Sequence, residues 1–276
     1  MRHVSLGDRI KSYERLYDFC LIGGLPICIR LDGKNFHSLT KRLKLEKPFD
    51  SVFAATMAGT AVSIASQIQD CVIGYVQSDE ISFIVRNGQG QDSEPYFGNR
   101  IQKIVSITAS MATARFNKLL ALVLIDPNTT GIEAFFDSRV FIVPAIAEAV
   151  NVLVWRQRDC TKNSISGAAY YEIGKVHGKK TARKMLEGLN QDQRQELLFK
   201  ETGLNWNDYA PEFKRGIVIF KREEEVETEH GKAMRRRWTT EPAPIFTGEE
   251  GRAWLCEILG HTRSVKENVE EKEGIR

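Results

Sequence analysis

The sequence predicts an α+β protein whose first half is a ferredoxin-like βαββαβ unit, and three observations carry that prediction. The stretch Gly74-Tyr75-Val76-Gln77-Ser78-Asp79-Glu80-Ile81-Ser82-Phe83-Ile84-Val85 sets two apolar, β-prone runs around a tight polar centre, the pattern of a β-hairpin with acidic residues at its tip. An earlier run, Ile27-Cys28-Ile29-Arg30-Leu31, reads as a strand that delivers Asp32-Gly33 at its end. Between these pieces, and again after the hairpin, apolar residues recur at helical spacing.

In chain order, Asp8 to Phe19 has helical spacing in Ile10, Tyr13, Leu16 and Tyr17, and Gly23-Gly24-Leu25-Pro26 stops it. The strand Ile27–Leu31 follows, then a polar connection from Lys34 through Lys41, Arg42, Lys44 and Lys47 to Pro48. Asp50 suits the N-cap of a helix over about residues 51–69, with Phe53, Met57, Ala61, Ile64 and Ile68 as one apolar stripe. After the hairpin, Gly88 to Pro95 is a polar loop. Asn99 can cap a second helix from about Arg100 to Asn117, and the unbroken apolar run Leu119–Ile125 is expected to be the fourth strand. In this topology the first strand lies beside the hairpin, so Asp32 and Asp79 can meet at one edge.

Past Asp126-Pro127-Asn128 the texture turns helical, over about 145–157, 160–177, 180–187 and 190–201. Gly216-Ile217-Val218-Ile219-Phe220 is a later strand, with Glu241-Pro242-Ala243-Pro244-Ile245 as its candidate partner. The expected organisation is a catalytic domain over 1–137, a mainly helical C-terminal region over 138–262 carrying a small β-hairpin, and a charged tail over 263–276 that is expected to be frayed.

Composition excludes several classes. At 276 residues the chain can fold without crosslinks, and its five scattered cysteines (Cys20, Cys28, Cys71, Cys160, Cys256) form no CxxC pair. Neither a disulfide framework nor a zinc site is expected. A net charge of +3 is only weakly basic, so binding a nucleic acid needs a local patch. No apolar run reaches membrane-spanning length and the N-terminus has no signal-peptide core, so the expectation is a cytoplasmic protein with no membrane partner.

Asp32 and Asp79 are the candidates for chemistry. Clustered carboxylates with no Cys or His between them favour a hard cation, and two on adjacent strand ends can hold two Mg²⁺ for phosphoryl transfer. Asp-Gly alone is also a common turn pair; the matching topology and the second acidic tip tilt the balance toward metal. Gly33 would let its backbone carbonyl approach a cation. Glu80, next to Asp79 in an extended chain, is expected on the opposite face as a supporting or surface carboxylate.

Other polar residues carry weaker signals. Ser78 can donate to a phosphate and His37 can contact a triphosphate or base, although a turn serine and a solvated histidine are equally ordinary. Arg100 and Lys103, three apart at a helix start, suit an anion such as a triphosphate, against the commoner solvated face. Lys47 and Arg139 are isolated basic residues. Trp155 with Arg156, Arg158 and Lys162, and likewise Arg235-Arg236-Arg237-Trp238, could grip RNA by charge and stacking, or be surface charge over a packed tryptophan.

As a set, these blocks resemble a family. Arg30-Leu31-Asp32-Gly33-Lys34-Asn35-Phe36-His37, Lys47-Pro48-Phe49-Asp50 and Gln77-Ser78-Asp79-Glu80-Ile81-Ser82-Phe83 look like signatures of the tRNA-His guanylyltransferases. So do Phe136-Asp137-Ser138-Arg139-Val140, Trp155-Arg156-Gln157-Arg158-Asp159-Cys160 and Phe213-Lys214-Arg215-Gly216, in order up to about residue 245. The resemblance implies a polymerase-type palm run in reverse, adding nucleotides to the 5′ end of an RNA, usually a tRNA. A 5′-monophosphate is first activated with ATP, or a 5′-triphosphate is used directly, and the 3′-hydroxyl of the incoming nucleotide attacks.

By matching positions, Asp32, the Gly33 carbonyl and Asp79 would hold two Mg²⁺. Lys34, Asn35, Phe36, His37 and Ser78 would line ATP, GTP or another nucleoside triphosphate, and Lys47, Arg100, Lys103 and Arg139 would bind phosphates or the RNA 5′ end. A homotetramer, a dimer of dimers, is implied as well. Where members specific for tRNA-His carry His-Ile-Asn-Asn, this chain has Thr161-Lys162-Asn163-Ser164, in which Asn163 alone matches. That points to the guanylyltransferase-like branch, which prefers templated addition to 5′-truncated tRNA. Untemplated guanosine addition to tRNA-His, a palm-domain nucleotide cyclase and a non-catalytic RNA-binding protein are the other readings.

Overall fold

The computed structural model describes residues 5–88, 94–123, 131–228 and 231–260. Its strands are β1 (Ile27–Gly33), β2 (Cys71–Gln77), β3 (Glu80–Val85), β4 (Phe136–Ile142), β5 (Ile217–Thr228) and β6 (Gly231–Pro242). All pair antiparallel in one sheet of order β4-β1-β3-β2-β5-β6. The first four have the order of the ferredoxin-like unit, and β1 lies beside β3 as expected.

Alternation along β1 sends Ile27, Ile29 and Leu31 to one face of the sheet and Cys28 to the other. The first face is covered by α3 (Ser51–Ala65) and α4 (Ile101–Val123), through Met57, Ile64, Ile104 and Phe116. The Asp50 side chain accepts a hydrogen bond from the Phe53 amide at 2.8 Å and so caps α3. The second face is covered by α5 (Ile146–His177) and α9 (Glu249–Gly260), through Ala149, Leu153 and Leu255. The far half of α5 makes a third core with α6 (Lys179–Met185) and α7 (Gln191–Thr202), where Ala168, Ile173, Ala182 and Leu198 meet. α1 (Leu6–Arg15) buries none of its residues; Leu6, Ile10 and Tyr13 on it, and Leu16 and Tyr17 just after it, are exposed. Among the described residues no helix is long and apolar enough to cross a membrane.

Several sequence expectations need correction. The fourth strand is Phe136–Ile142, not Leu119–Ile125: α4 runs on through Val123, because Leu120 follows the buried Phe116 at one helical turn and packs into the same core. Leu124 and Ile125 lie outside the described residues. An apolar run of that length suits a strand or a buried helix equally, and length and periodicity alone do not separate them. The strand Phe136–Ile142 is in register with β1 from Ile27↔Ile142 to Gly33↔Phe136. The two helices expected over 145–157 and 160–177 are one, α5. The partner of β5 is β6, Gly231–Pro242: of the expected segment only Glu241 and Pro242 pair with it, and the rest of the strand is the arginine run and the residues before it. The polar connection after Asp32 contains a short helix, α2 (Phe36–Arg42). The charged tail expected over 263–276 lies outside the described residues.

Candidate active site

The end of β1 is tied to the hairpin tip by backbone. The Gly33 amide donates to the Asp79 carbonyl at 3.1 Å, and the Lys34 amide donates to the Phe135 carbonyl at 2.8 Å just before β4. Ser78 and Asp79 form the β2–β3 turn, with Ser78 at a φ of 48°. Asp32 and Asp79 are thereby brought to one edge of the sheet, as the sequence predicts. The structure also gives Gly33 a reason beyond metal approach: a Cβ there would collide with the Phe36 ring.

Glu80 is a supporting carboxylate, as expected, but it shares a face with Asp32. It pairs with Asp32 in the β1–β3 register, and Asp32 pairs with Asp137 on the other side. Directly paired residues share a face, so Asp137, Asp32 and Glu80 form a row of carboxylates across three strands. The alternation argument failed because Asp79 sits in the turn, outside the strand from which faces are counted. Glu80 is held by Arg156 of α5 in a bidentate pair, Nε to Oε1 at 2.6 Å and Nη2 to Oε2 at 2.8 Å. Arg156 also donates to Asp159 at 2.8 Å. Its guanidinium is therefore spent on carboxylates rather than free for RNA. Burial pulls the Arg156 pKa down, but the hydrogen bond and charge of Glu80, with Asp159, outweigh it and the net shift is upward.

The two aspartates have no such partner. Burial above all, then the charges of Glu80 and Asp137, raises the Asp32 carboxyl above its ordinary value, with Arg139 and Arg30 opposing. Burial likewise raises Asp79; hydrogen bonds from its own backbone and from Ser78 oppose this, and the Asp32 and Glu80 charges add to it. Raised carboxyls favour the protonated form, so above its folded pKa the ionised Asp79 costs stability. Asp79→Asn is expected to raise the Tm of the metal-free protein at neutral pH. The gain should fade as pH falls through the raised folded pKa and be gone below about 3.9, where aspartate is protonated even unfolded. Thermal melts in chelator across pH test this; a lower Tm for the variant at neutral pH would contradict it.

A cavity of about 590 Å³ opens beside this edge. Asp32, Ser78, Asp79, Glu80, His37 and Lys47 line it from the sheet side, and Asp159, Asn163 and Tyr171 of α5 from the other. Phe49 helps close it, stacked on Phe213 at 5.0 Å and edge-on to Tyr209 at 5.1 Å. Lys47 donates to Thr40 at 3.0 Å; burial lowers its pKa, with Asp50 and Asp79 opposing. Asn163 donates to Asp159 at 3.2 Å.

The other predicted site residues divide. Phe36 reaches the cavity, but its ring is a core ring, 3% exposed and packed on Phe53, Phe116 and Phe136. Lys34 and Asn35 are exposed, Asn35 in the left-handed conformation that starts α2. Arg139 lies on β4, beside Asp137 at 3.5 Å. Arg100 and Lys103 stand at the start of α4, and Arg100 pairs with Asp18 at 2.6 Å. The helix bonds to the β4 end through Thr113 and Asn117, more than three turns further along, so its start is remote from Asp32. Sequence reasoning missed Arg156 as the partner of Glu80 and gave Asp159, quoted within a family block, no role of its own; a bond across 76 residues leaves no local signal.

Comparison with known proteins fits this geometry. The family model for tRNAHis guanylyltransferase matches residues 7–144, and that for the Thg1 C-terminal domain matches 148–270. The chain belongs to the tRNAHis guanylyltransferase family. It is thus a nucleotidyltransferase. The tRNA(His) guanylyltransferase of Neurospora crassa is 31% identical over 224 residues, 80% of this chain and 74% of that protein. A bacterial Thg1-like protein solved in complex with ATP superposes with a TM-score of 0.77 at 34% identity, covering 92% of this chain and 99% of the other. The enzyme from Saccharomyces cerevisiae, at a TM-score of 0.67 and 24% identity, shares the fold. The fold is the palm-like α+β architecture of this family.

Proposed function

We propose that this guanylyltransferase-family enzyme adds nucleotides in the 3′-to-5′ direction to the 5′ end of tRNA, choosing each by the opposing template base. The observation that carries the reading is the pair Asp32 and Asp79, which share no ion pair such as Glu80 has, in a cavity that also holds Lys47. Both carboxyls are raised by burial and by neighbouring negative charge, an excess that a divalent cation would neutralise. Their all-oxygen chemistry fits Mg²⁺, which keeps water and substrate phosphates as its remaining ligands. Asp32, the Gly33 carbonyl and Asp79 would hold two Mg²⁺, which would supply charge neutralisation at the phosphate and a more acidic attacking hydroxyl.

The chain's own residues do the positioning. Lys47 offers a positive charge to a triphosphate, and Asn163 and His37 offer hydrogen bonds within the same space. The Arg156–Glu80 pair holds the floor beside the carboxylates. ATP and GTP, which bacterial Thg1-like proteins bind in solved complexes, are the expected occupants.

Template dependence is supported by Thr161-Lys162-Asn163-Ser164 in place of His-Ile-Asn-Asn. Thr161 donates to the Lys214 carbonyl at 3.1 Å, and Ser164 accepts from the Trp206 indole at 3.0 Å, so both serve the scaffold. Assembly as a homotetramer agrees with the exposed apolar residues of α1. The test is nucleotide addition to 5′-truncated tRNAs with each opposing base varied. The product is expected to follow the template, and guanosine addition regardless of template would overturn the reading in favour of untemplated addition to tRNA-His.

A further inference from the structure

The row of carboxylates crosses the sheet at one end of its strands. The cavity lies against its β1–β3–β2 part, lined by Asp32, Glu80 and Gln77. Two residues back along the strands from Asp32 and Asp137, on β1 and the edge strand β4, stand Arg30 and Arg139, a direct cross-strand pair. Two residues along a strand span about 7 Å. Over them sits Trp155 of α5, whose ring centroid is 5.6 Å from the Arg30 guanidinium and 4.4 Å from that of Arg156. None of Arg30, Arg139 and Trp155 lines the cavity.

Three features set this cluster apart from a tryptophan packed under surface charge. Trp155 is 52% exposed, although it is flanked by the buried Val154 and Arg156. Arg30 has a buried Nε with no hydrogen-bond partner. Arg139 is over half exposed and touches only the edge of Asp137's reach, at 3.5 Å. An open indole face beside guanidinium donors not fully used matches a nucleotide with a base to stack and a phosphate to bind. Arg156, fixed by Glu80 and Asp159, holds the ring in place beforehand, which lowers the ordering cost of binding.

We propose that Trp155, Arg30 and Arg139 form a stacking and phosphate-binding platform for the 5′-terminal nucleotide of the RNA, next to Asp32 but outside the triphosphate cavity. This rests on the function proposed above and deepens it. The two substrates then approach the same carboxylates from different directions, the triphosphate from the cavity and the RNA 5′ end from the Arg30–Arg139 pair.

The test measures the Kd of the full-length protein for a 5′-monophosphorylated, 5′-truncated tRNA and for the same RNA made abasic at its first nucleotide. For the wild type the missing base should weaken binding about tenfold, the scale of one base–aromatic stack. Trp155→Ala should bind the intact RNA about tenfold more weakly and no longer distinguish the two, while Trp155→Phe keeps most of the discrimination and KM for the triphosphate stays within about twofold. Melting curves identify a variant that has merely unfolded, and Trp155→Phe then carries the comparison. Equal wild-type affinity for both RNAs, or full discrimination in Trp155→Ala, overturns the platform. Absence of nucleotide addition by the wild type would instead refute the function, and the binding comparison would still decide the platform.

Discussion

Asp32→Ala and Asp79→Ala are each expected to lower nucleotide addition by at least about 10²–10³-fold, the scale of losing one electrostatic contact to a reacting phosphate. RNA affinity should stay close to wild type, because neither carboxylate attracts a phosphodiester chain in the absence of metal. The two variants should lose about as much singly as together, since both carboxylates would hold the same metal pair and act as a unit. Raising Mg²⁺ should restore little. Single-turnover assays on activated RNA, with filter binding in parallel, measure both quantities. Full activity in either variant would end the metal assignment.

Arg156→Ala is expected to be the most damaging substitution for the fold among those at the site. The side chains of Arg156 and Glu80 are only 9% and 12% exposed, so deleting the arginine leaves an unpaired charge beside Asp32 and Asp79. Breaking a buried pair in this way costs about 3–5 kcal/mol. Replacing both partners, as Arg156→Met with Glu80→Leu, should recover much of that loss. Denaturant unfolding of the single and double variants measures the coupling; a single variant that loses less than about 1 kcal/mol would show the pair to be exposed and dispensable. Nucleotide addition should fall in Arg156→Ala even where it remains folded, because the freed Glu80 charge pushes both aspartates further toward protonation.

How far the sequence revealed this site depended on distance along the chain. The hairpin Gly74–Val85 and the strand before Asp32 were legible because apolar alternation and turn chemistry act within a few residues. The meeting of Asp32 with Asp79 followed from strand order alone. Glu80 was misplaced because register, which decides faces, is set by pairing with β1 some fifty residues earlier. The fourth strand was misplaced because Phe116 and Leu120 carry a helix through an apolar run that has no polar punctuation. The arginine run at 235–237 looked like an RNA grip, yet Arg236 pairs with Glu223 of the adjacent strand at 2.8 Å, a partner that appears only once β5 and β6 are aligned. The Arg156–Glu80 bond and the Arg30–Trp155 contact join segments that only the finished fold brings together.

The length of α5 carries a mechanical consequence. Its 32 residues span about 48 Å, and they serve in sequence the sheet core at Val150 and Leu153, Glu80 at Arg156, the cavity at Asp159 and Asn163, and the third core at Ala168 and Ile173. The cavity and Trp155 are therefore read by one continuous helix, so a shift of its far half on triphosphate binding would be passed to Trp155 beside Arg30. Indole fluorescence in a variant that keeps Trp155 alone among the four tryptophans would report it.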